Sequence, residues 1–175
     1  MHRGRIWKYG DDVNTDVIFP GKYTYQPMEP PEMAEHALED LDPEFAENVQ
    51  PGDVIVAGKN FGCGSSREQA ATCLKAAGVA ALIAPSFARI FFRNAINGGL
   101  PVIELAEGTE AMKSGDEVGI DFAAGLVEHE GKTYSFPPLP PKVLAILEDG
   151  GLIPHVKKAL STGQRARESG RDLAD

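Results

Sequence analysis

The chain has 175 residues, of which 42% are hydrophobic, so it is long enough for one domain with a sizeable core. Its 17 Lys and Arg against 26 Asp and Glu give a formal net charge of −9, which argues against binding to nucleic acid or to anionic membranes. The only cysteines, Cys63 and Cys73, exclude a disulfide scaffold and favour a reducing, cytoplasmic location. Because no apolar stretch has the length of a bilayer span or of a signal-peptide core, we expect neither.

The first two thirds of the chain predict a partly parallel sheet with crossover helices. Residues 3–9 alternate as in a strand, and a Pro-rich loop without predicted structure covers residues 10–31. Short helices are predicted over residues 33–41 and 43–49. A β-loop-α-β-α-β pattern follows, with strands over 53–58, 79–85 and 100–105, and with helices over 67–78 and over 87–97, the latter capped by Ser86.

The last third changes character at Asp116. Short antiparallel strands with Gly-containing turns are predicted up to residue 136, followed by helices over 143–150 and 152–160. Residues 161–175 are polar, and we expect them to form a flexible tail. Residues 1–160 are therefore predicted to form a single domain.

The segment GKNFGCGSSREQAA, residues 58–71, carries the most chemical information. It follows an apolar strand and opens a helix, so its backbone amides and the helix N-terminus form a natural anion site. Gly62 and Gly64 permit tight backbone geometry, and Arg67 offers two parallel hydrogen bonds to a carboxylate. Together with the hydroxyls of Ser65 and Ser66, these groups suit a small polycarboxylate.

A structural interpretation of the same segment competes with the catalytic one. Residues 65–68 fit the S-x-x-E capping box, in which Ser65 would cap the helix and Glu68 would bond back to it. The two interpretations are compatible, because a helix dipole stabilises an alkoxide near the N-terminus, where Ser65 could act as a base. The segment matches neither a phosphate-binding loop nor a G-x-S-x-G nucleophile elbow.

Three blocks, VNTDVIFPGKY, GKNFGCGSSREQA and APSFARIFFRNAINGG, occur in an order that resembles the small subunits of 3-isopropylmalate dehydratase. These subunits are the separate swivelling domain of the aconitase superfamily, and the resemblance extends from about residue 6 to residue 160. It implies an α/β fold, a three-layer β/β/α domain with a mixed sheet like the aconitase C-terminal domain. That domain would close over a large subunit carrying a 4Fe–4S cluster. The chain itself, with two separated cysteines, is expected to bind neither cluster nor metal.

The resemblance also assigns roles to residues. It implies that Ser65 is the catalytic base, accepting a proton from a carbon next to a substrate carboxylate, and that Ser66 and Arg67 bind that carboxylate. Thr15 and Asp16 match the block that reaches the active site and are expected to help bind and orient the substrate. The implied reaction is the dehydration and rehydration of 3-isopropylmalate in leucine biosynthesis, and the isolated chain is expected to be inactive.

Substrate choice in such subunits depends on a loop that follows the NTD sequence at residues 14–16. Its residues here are Lys22, Tyr23, Thr24 and Tyr25. Relatives that accept a second carboxylate tend to carry an arginine after the tyrosine, and this loop has none. An apolar isopropyl group, packed on the two tyrosines, therefore fits better, although Lys22 could act as a substitute cation. Homoaconitate, another substituted malate such as dimethylmalate, and a non-catalytic anion-binding or regulatory module are the alternatives.

Other polar residues give weaker signals. Arg89 and Arg93 lie four residues apart on one predicted helix face, where they could pair with acidic groups of the domain or of a partner subunit, or face solvent. No pair of histidines has metal-ligand spacing, so each is predicted to be a surface or capping residue. The histidines are His2, His36, His129 and His155.

Overall fold

The computed structural model describes residues 1–171, with side chains described to residue 163. Seven strands in this range form one sheet in the order β4-β3-β2-β1-β5-β6-β7. The strands are β1 (His2–Lys8), β2 (Val54–Val56), β3 (Ala81–Ala84), β4 (Val102–Glu104), β5 (Glu117–Asp121), β6 (Leu126–His129) and β7 (Lys132–Ser135). The first four pair in parallel, whereas β5 pairs antiparallel with β1 and is followed by β6 and β7. The sheet is therefore mixed, as predicted.

Helices connect the strands and cover one face of the sheet. They are α1 (Thr15–Ile18), α2 (Pro30–Ala34), α3 (Phe45–Asn48), α4 (Glu68–Ala76), α5 (Arg89–Asn97), α6 (Pro141–Glu148) and α7 (Leu152–Arg171). The Ala-rich α4 and the amphipathic α5 are the crossover connections between β2, β3 and β4. This arrangement places the loops that precede both helices at the same edge of the sheet.

Two apolar clusters show that the sheet is buried on both faces. Ile55 and Leu82 belong to the cluster between the sheet and the helices. Their neighbours Val54, Val56 and Ile83 point to the other face, into a cluster shared with residues of β5 and β6. Since β5 to β7 curl over that face, the layers are β/β/α, which confirms the predicted fold.

The structure corrects two predictions about the first third of the chain. Of the helix predicted over residues 33–41, only residues 33 and 34 are helical, as the end of α2. A continuous helix is excluded because Leu38 has φ 58°, a left-handed conformation. The loop over residues 10–31, predicted to lack structure, contains α1 and the 3-10 helix Gly21–Tyr23. Asn14 caps α1 by accepting a hydrogen bond from the Asp16 amide.

The C-terminal helix α7 continues beyond its predicted end at residue 160, to Arg171. Residues 172–175 of the predicted tail lie outside the described residues, and the division into a domain and a tail stays a prediction. Within residues 1–171, no helix combines the length and the apolar character that a bilayer crossing requires.

Candidate active site

Three segments meet where the parallel strands end. They are the segment after β1, the glycine-rich loop after β2 and the segment after β3. Backbone hydrogen bonds join them: Thr15 N–H donates to the Cys63 carbonyl at 2.7 Å, and Ala88 N–H donates to the Phe61 carbonyl at 2.9 Å. The carboxyl edge of parallel strands is the usual place for a ligand site in open α/β sheets. The connections fix the loop's backbone against two neighbouring segments.

Two glycines are required at the points of closest approach in this loop. Gly62 has φ 80°, and a Cβ atom there would lie 2.2 Å from the Phe91 ring. Gly64 has φ 98°, and a Cβ atom would lie 2.4 Å from Asn14 Oδ1. Any side chain at either position would combine backbone strain with a steric clash. The loop can therefore approach α5 and the segment after β1 this closely only with glycine at positions 62 and 64.

The structure brings Ser65 together with Thr15 and Asp16, as the resemblance implies. Ser65 Oγ donates to Asp16 Oδ1 at 3.3 Å and lies 3.4 Å from Thr15 Oγ1. Thr15 is buried, and its hydroxyl donates to the Ser65 carbonyl at 2.9 Å. Ser65 itself is exposed. A buried threonine thus fixes the backbone of Ser65 while the serine hydroxyl remains open to a ligand.

Arg67 completes this group of side chains. Its Nη2 lies 3.0 Å from Asp16 Oδ1 in an ion pair, and the Arg67 side chain is only 20% exposed. Its Nη1 is buried and has no hydrogen-bond partner among the described residues. The backbone of Gly21 lies alongside, since a Cβ atom there would be 3.2 Å from Nη1. A buried N–H without an acceptor is costly, so this geometry favours an anion that accepts from it.

Both predicted serine caps are wrong. Helix α4 begins at Glu68 after Arg67, which is extended with φ −91° and ψ 118°, so Ser65 is too far from the helix to cap it. Helix α5 begins at Arg89, and Ser86 Oγ accepts a hydrogen bond from the Asn60 amide instead. Ser65 therefore has no structural duty in α4 that competes with catalysis. Its neighbour Ser66 is exposed, at the same mouth of the loop.

The predicted specificity loop is held by groups later in the chain. Lys22 Nζ lies 2.6 Å from Glu39 Oε1, and this bond raises the pKa of Lys22. Tyr23 donates to Glu39 Oε2 at 3.3 Å, and its ring stacks on His36 with centroids 4.0 Å apart. The charge of Lys22 is thus already balanced by a carboxylate of the same chain.

The other two residues of the specificity loop have opposite environments. Tyr25 is 96% exposed, so its ring is free to meet a substrate or a partner. Thr24 Oγ1 is buried and has no hydrogen-bond partner among the described residues. The loop therefore presents one aromatic ring and no arginine.

The cysteines do not fit an iron–sulfur cluster. Cys73 is fully buried in the core, where its thiol donates to the Ala70 carbonyl, and burial raises the pKa of this thiol. Cluster ligands are thiolates at close spacing, which Cys73 and the partly exposed Cys63 do not provide.

One histidine prediction is wrong. His129 was expected at the surface or at a helix cap, but it is only 2% exposed and its Nε2 lies 2.8 Å from Asp116 Oδ2. This bond lowers the pKa of Asp116. Glu130 lies close to both groups. The histidine and the aspartate already satisfy each other, so the cluster is explained as a structural pair joining β5 and β6.

A cavity of about 460 Å³ opens beside Ser65. Gly64 and Ser65 form one wall, and Arg89, Ile90 and Arg93 of α5 form the other. The sequence predicted that the two arginines share a helix face, but not that they lie beside the glycine-rich loop that contains Ser65. The signal was available, because both arginines belong to the APSFARIFFRNAINGG block.

Comparison with known proteins identifies the family. Residues 14–108 match the family model described as "Aconitase C-terminal domain". The chain belongs to this family. The matched range contains the segments that meet at Ser65.

Relatives within this family are small subunits. The chain is 52% identical over 160 residues to the "3-isopropylmalate dehydratase small subunit 1" of Thermotoga maritima, covering 90% of this chain and 96% of the relative. It is also 52% identical over 163 residues to the "Methanogen homoaconitase small subunit" of Methanothermobacter thermautotrophicus, covering 92% and 94%. A crystal structure of a 3-isopropylmalate dehydratase from Methanocaldococcus jannaschii matches with a TM-score of 0.87 at 44% identity, covering 94% and 98%. The resemblance drawn from the three sequence blocks is confirmed.

Proposed function

We propose that this chain is the small subunit of a 3-isopropylmalate dehydratase, a hydro-lyase of leucine biosynthesis. The enzyme would interconvert 3-isopropylmalate and 2-isopropylmalate by dehydration and rehydration. The observation that carries the proposal is the convergence of Thr15, Asp16, Ser65 and Arg67 on one glycine-rich loop. The relatives named for this activity share about half of the residues over most of the chain.

Ser65 is the proposed base. As an alkoxide it accepts the proton from the carbon next to a substrate carboxylate. Asp16 accepts the hydrogen bond of Ser65 while Arg67 balances the charge of Asp16, so the pair orients Oγ. The Thr15 hydroxyl fixes the Ser65 backbone by donating a hydrogen bond to its carbonyl. The base is thereby positioned before the substrate arrives.

Arg67 and Ser66 are the proposed carboxylate site. The unpartnered Nη1 of Arg67 offers a hydrogen bond that no described protein group accepts, and Ser66 adds an exposed hydroxyl. A substrate carboxylate that accepts from Nη1 gains a charge-assisted bond in a site that is partly shielded from water. This contact places the acidic carbon near Ser65 Oγ.

The departing hydroxyl requires a group that this chain does not supply. We infer that the 4Fe–4S cluster, which provides Lewis-acid chemistry in the aconitase superfamily, is held by a large subunit, because neither cysteine here is placed to bind it. The small subunit then contributes half of the active site. Its proposed location is the cytoplasm.

The specificity loop favours an apolar substituent on the substrate. It carries no arginine, and its one lysine is paired with Glu39, so a second substrate carboxylate would find no free cation there. Homoaconitate is the second candidate, because the chain is as similar to a methanogen homoaconitase small subunit as to an isopropylmalate enzyme. Lys22 could serve that substrate only by leaving Glu39.

The test is reconstitution. The chain is mixed anaerobically with its cluster-loaded large subunit, and formation of the unsaturated acid is followed from isopropylmalate and, separately, from homocitrate. We expect turnover only in the mixture and only with isopropylmalate. Turnover with homocitrate would retain the mechanism and overturn the substrate. A stable, cluster-loaded complex that is inactive on both substrates would instead support another substituted malate as the substrate, or an anion-binding or regulatory module.

A further inference from the structure

Arg89 and Arg93 differ from the other arginines whose side chains are described. Arg3, Arg5 and Arg67 each form an ion pair with a carboxylate, namely Glu117, Asp53 and Asp16. Arg89 and Arg93 are exposed and form no ion pair with any carboxylate in the described part of the chain. The two residues lie on one turn of α5. They create a local cationic patch.

The patch separates two depressions. On one side lies the cavity of about 460 Å³ with Ser65 in its wall. On the other side lies a cavity of about 630 Å³, which we call the apolar groove, between α5 and the segment leading into α6. Its apolar lining is Phe87, Phe92, Ile96, Leu139, Pro140 and Val143. Both arginines line both depressions, and the exposed Ile90, next to them on the helix, lines the smaller one.

Such a surface has the composition of a protein–protein interface. Interface cores are enriched in aromatic residues and arginine, whereas scattered surface cations are more often lysine. The ridge of Arg89, Ile90 and Arg93 also borders the site that, in the proposed function, is completed by another chain. A partner that brings a cluster to Ser65 must cover the rim of this cavity.

We propose that the ridge of Arg89, Ile90 and Arg93, together with the apolar groove behind it, is the surface on which the cluster-bearing large subunit docks. This inference rests on the proposed function. Carboxylates of the large subunit pair with the two guanidinium groups, and an apolar side chain enters the groove. Opposite charges at the rim also steer the two subunits together, so association is faster at low salt.

The test uses the full chain and its cluster-loaded large subunit. Affinity is measured anaerobically by titration calorimetry at several salt concentrations, and turnover is measured as a function of large-subunit concentration. The variant is Arg89→Glu/Arg93→Glu. The matched control is Lys113→Glu/Lys132→Glu, which makes the same change in charge at exposed residues outside both cavities. Because all four side chains are exposed, both variants are expected to fold, and melting temperatures verify this.

We expect the arginine variant to bind the large subunit at least about tenfold more weakly, with a smaller salt dependence, while the control binds like the wild type. Turnover of the variant should return as the large subunit approaches saturation. Wild-type affinity in the variant would overturn the docking surface, as would equal weakening in the control. A raised KM that persists at saturating large subunit would also overturn it, because the arginines would then bind substrate.

These outcomes are distinct from a failure of the proposed function. If the wild-type chain neither binds the large subunit nor turns over either substrate with it, the proposed function falls, and the docking surface falls with it. If the wild-type complex is active and the variant binds normally, only the docking surface falls. The milder pair Arg89→Gln/Arg93→Gln repeats the comparison without adding negative charge.

Discussion

Ser65 is the residue for which the structure changes the expected consequence of a mutation. A capping serine replaced by alanine would cost about 1 kcal/mol of stability. Ser65 does not cap α4, so Ser65→Ala should leave the free energy of unfolding nearly unchanged. Turnover of the reconstituted enzyme should fall about 100- to 10,000-fold, the contribution typical of a general base.

The measurement pairs steady-state kinetics with denaturant unfolding of the same samples. Ser66→Ala is the matched comparison, since the neighbouring hydroxyl is exposed and is proposed to bind substrate rather than to take the proton. It should raise KM more than it lowers kcat. Full activity in Ser65→Ala would refute the assignment of the base.

Arg67 allows a second prediction at the scale of a residue. Arg67→Lys keeps the positive charge beside Asp16 but removes the planar pair of donors, including the unpartnered Nη1. We expect KM to rise about tenfold or more, as for the loss of a hydrogen bond to a charged group. Arg5→Lys, at an ion pair with Asp53 away from the site, should leave KM unchanged. If the two variants had the same KM, Arg67 would not be the carboxylate ligand.

At the scale of an element, the glycine-rich loop depends on its backbone conformation. Gly62→Ala would hold a side chain at positive φ and push its Cβ into the Phe91 ring. These effects together should lower the free energy of unfolding by about 2–5 kcal/mol. Gly115→Ala is the control, because Gly115 also has positive φ but has no atom within 4 Å of the added Cβ. It should cost only about 1–2 kcal/mol, and an equal loss in both variants would show that backbone strain alone matters.

The elements predicted best were those with a strong local signal. The continuous apolar runs of β3 and β4 and the Ala-rich α4 were placed within a few residues. The helix expected over residues 33–41 was not, because Leu38 adopts its left-handed conformation while packing in the core, a tertiary constraint that local sequence does not contain. The capping box of residues 65–68 was wrong for a related reason. Thr15 and Asp16 bind Ser65 from a distant part of the chain and keep it out of the helix.

The same distinction holds for the site. The glycine-rich loop with Ser65 and the segment with Thr15 and Asp16 were predicted because each belongs to a continuous motif that resembles a known family. The proximity of Arg93 to Ser65, and the burial of His129 against Asp116, arise from contacts between separate elements. Neither follows from spacing along the chain.

At the scale of the whole molecule, Asp53 makes the stability of the fold depend on pH. It is nearly buried, and burial alone would raise its pKa. Hydrogen bonds from the Gln50 amide, the Trp7 indole and Arg5 outweigh burial and hold the pKa of this carboxyl below its ordinary value. The carboxylate therefore ties β1 to the turn that begins β2.

The sign of the effect follows from this lowered pKa. Asp53 stabilises the fold fully above the unfolded-state pKa of about 4, and this contribution is lost as the pH falls through the native pKa. Asp53→Asn should be clearly less stable than the wild type at pH 7, and the difference should shrink below about pH 4. Chemical denaturation across this range measures it. Asp40→Asn, at an exposed carboxylate, should show no such convergence, and a constant gap for Asp53→Asn would contradict the assignment.

The contacts that anchor the specificity loop determine which residues a chimera must exchange together. Lys22 and Tyr23 are anchored by Glu39 and His36, which lie outside the loop in sequence. A graft of residues 22–26 alone would leave a carboxylate without its cation and an imidazole without its stacking partner. Residues 22–39 therefore form the smallest exchangeable cassette. Evolution of a new substrate preference on this scaffold would have to alter the contacting residues and their anchors together.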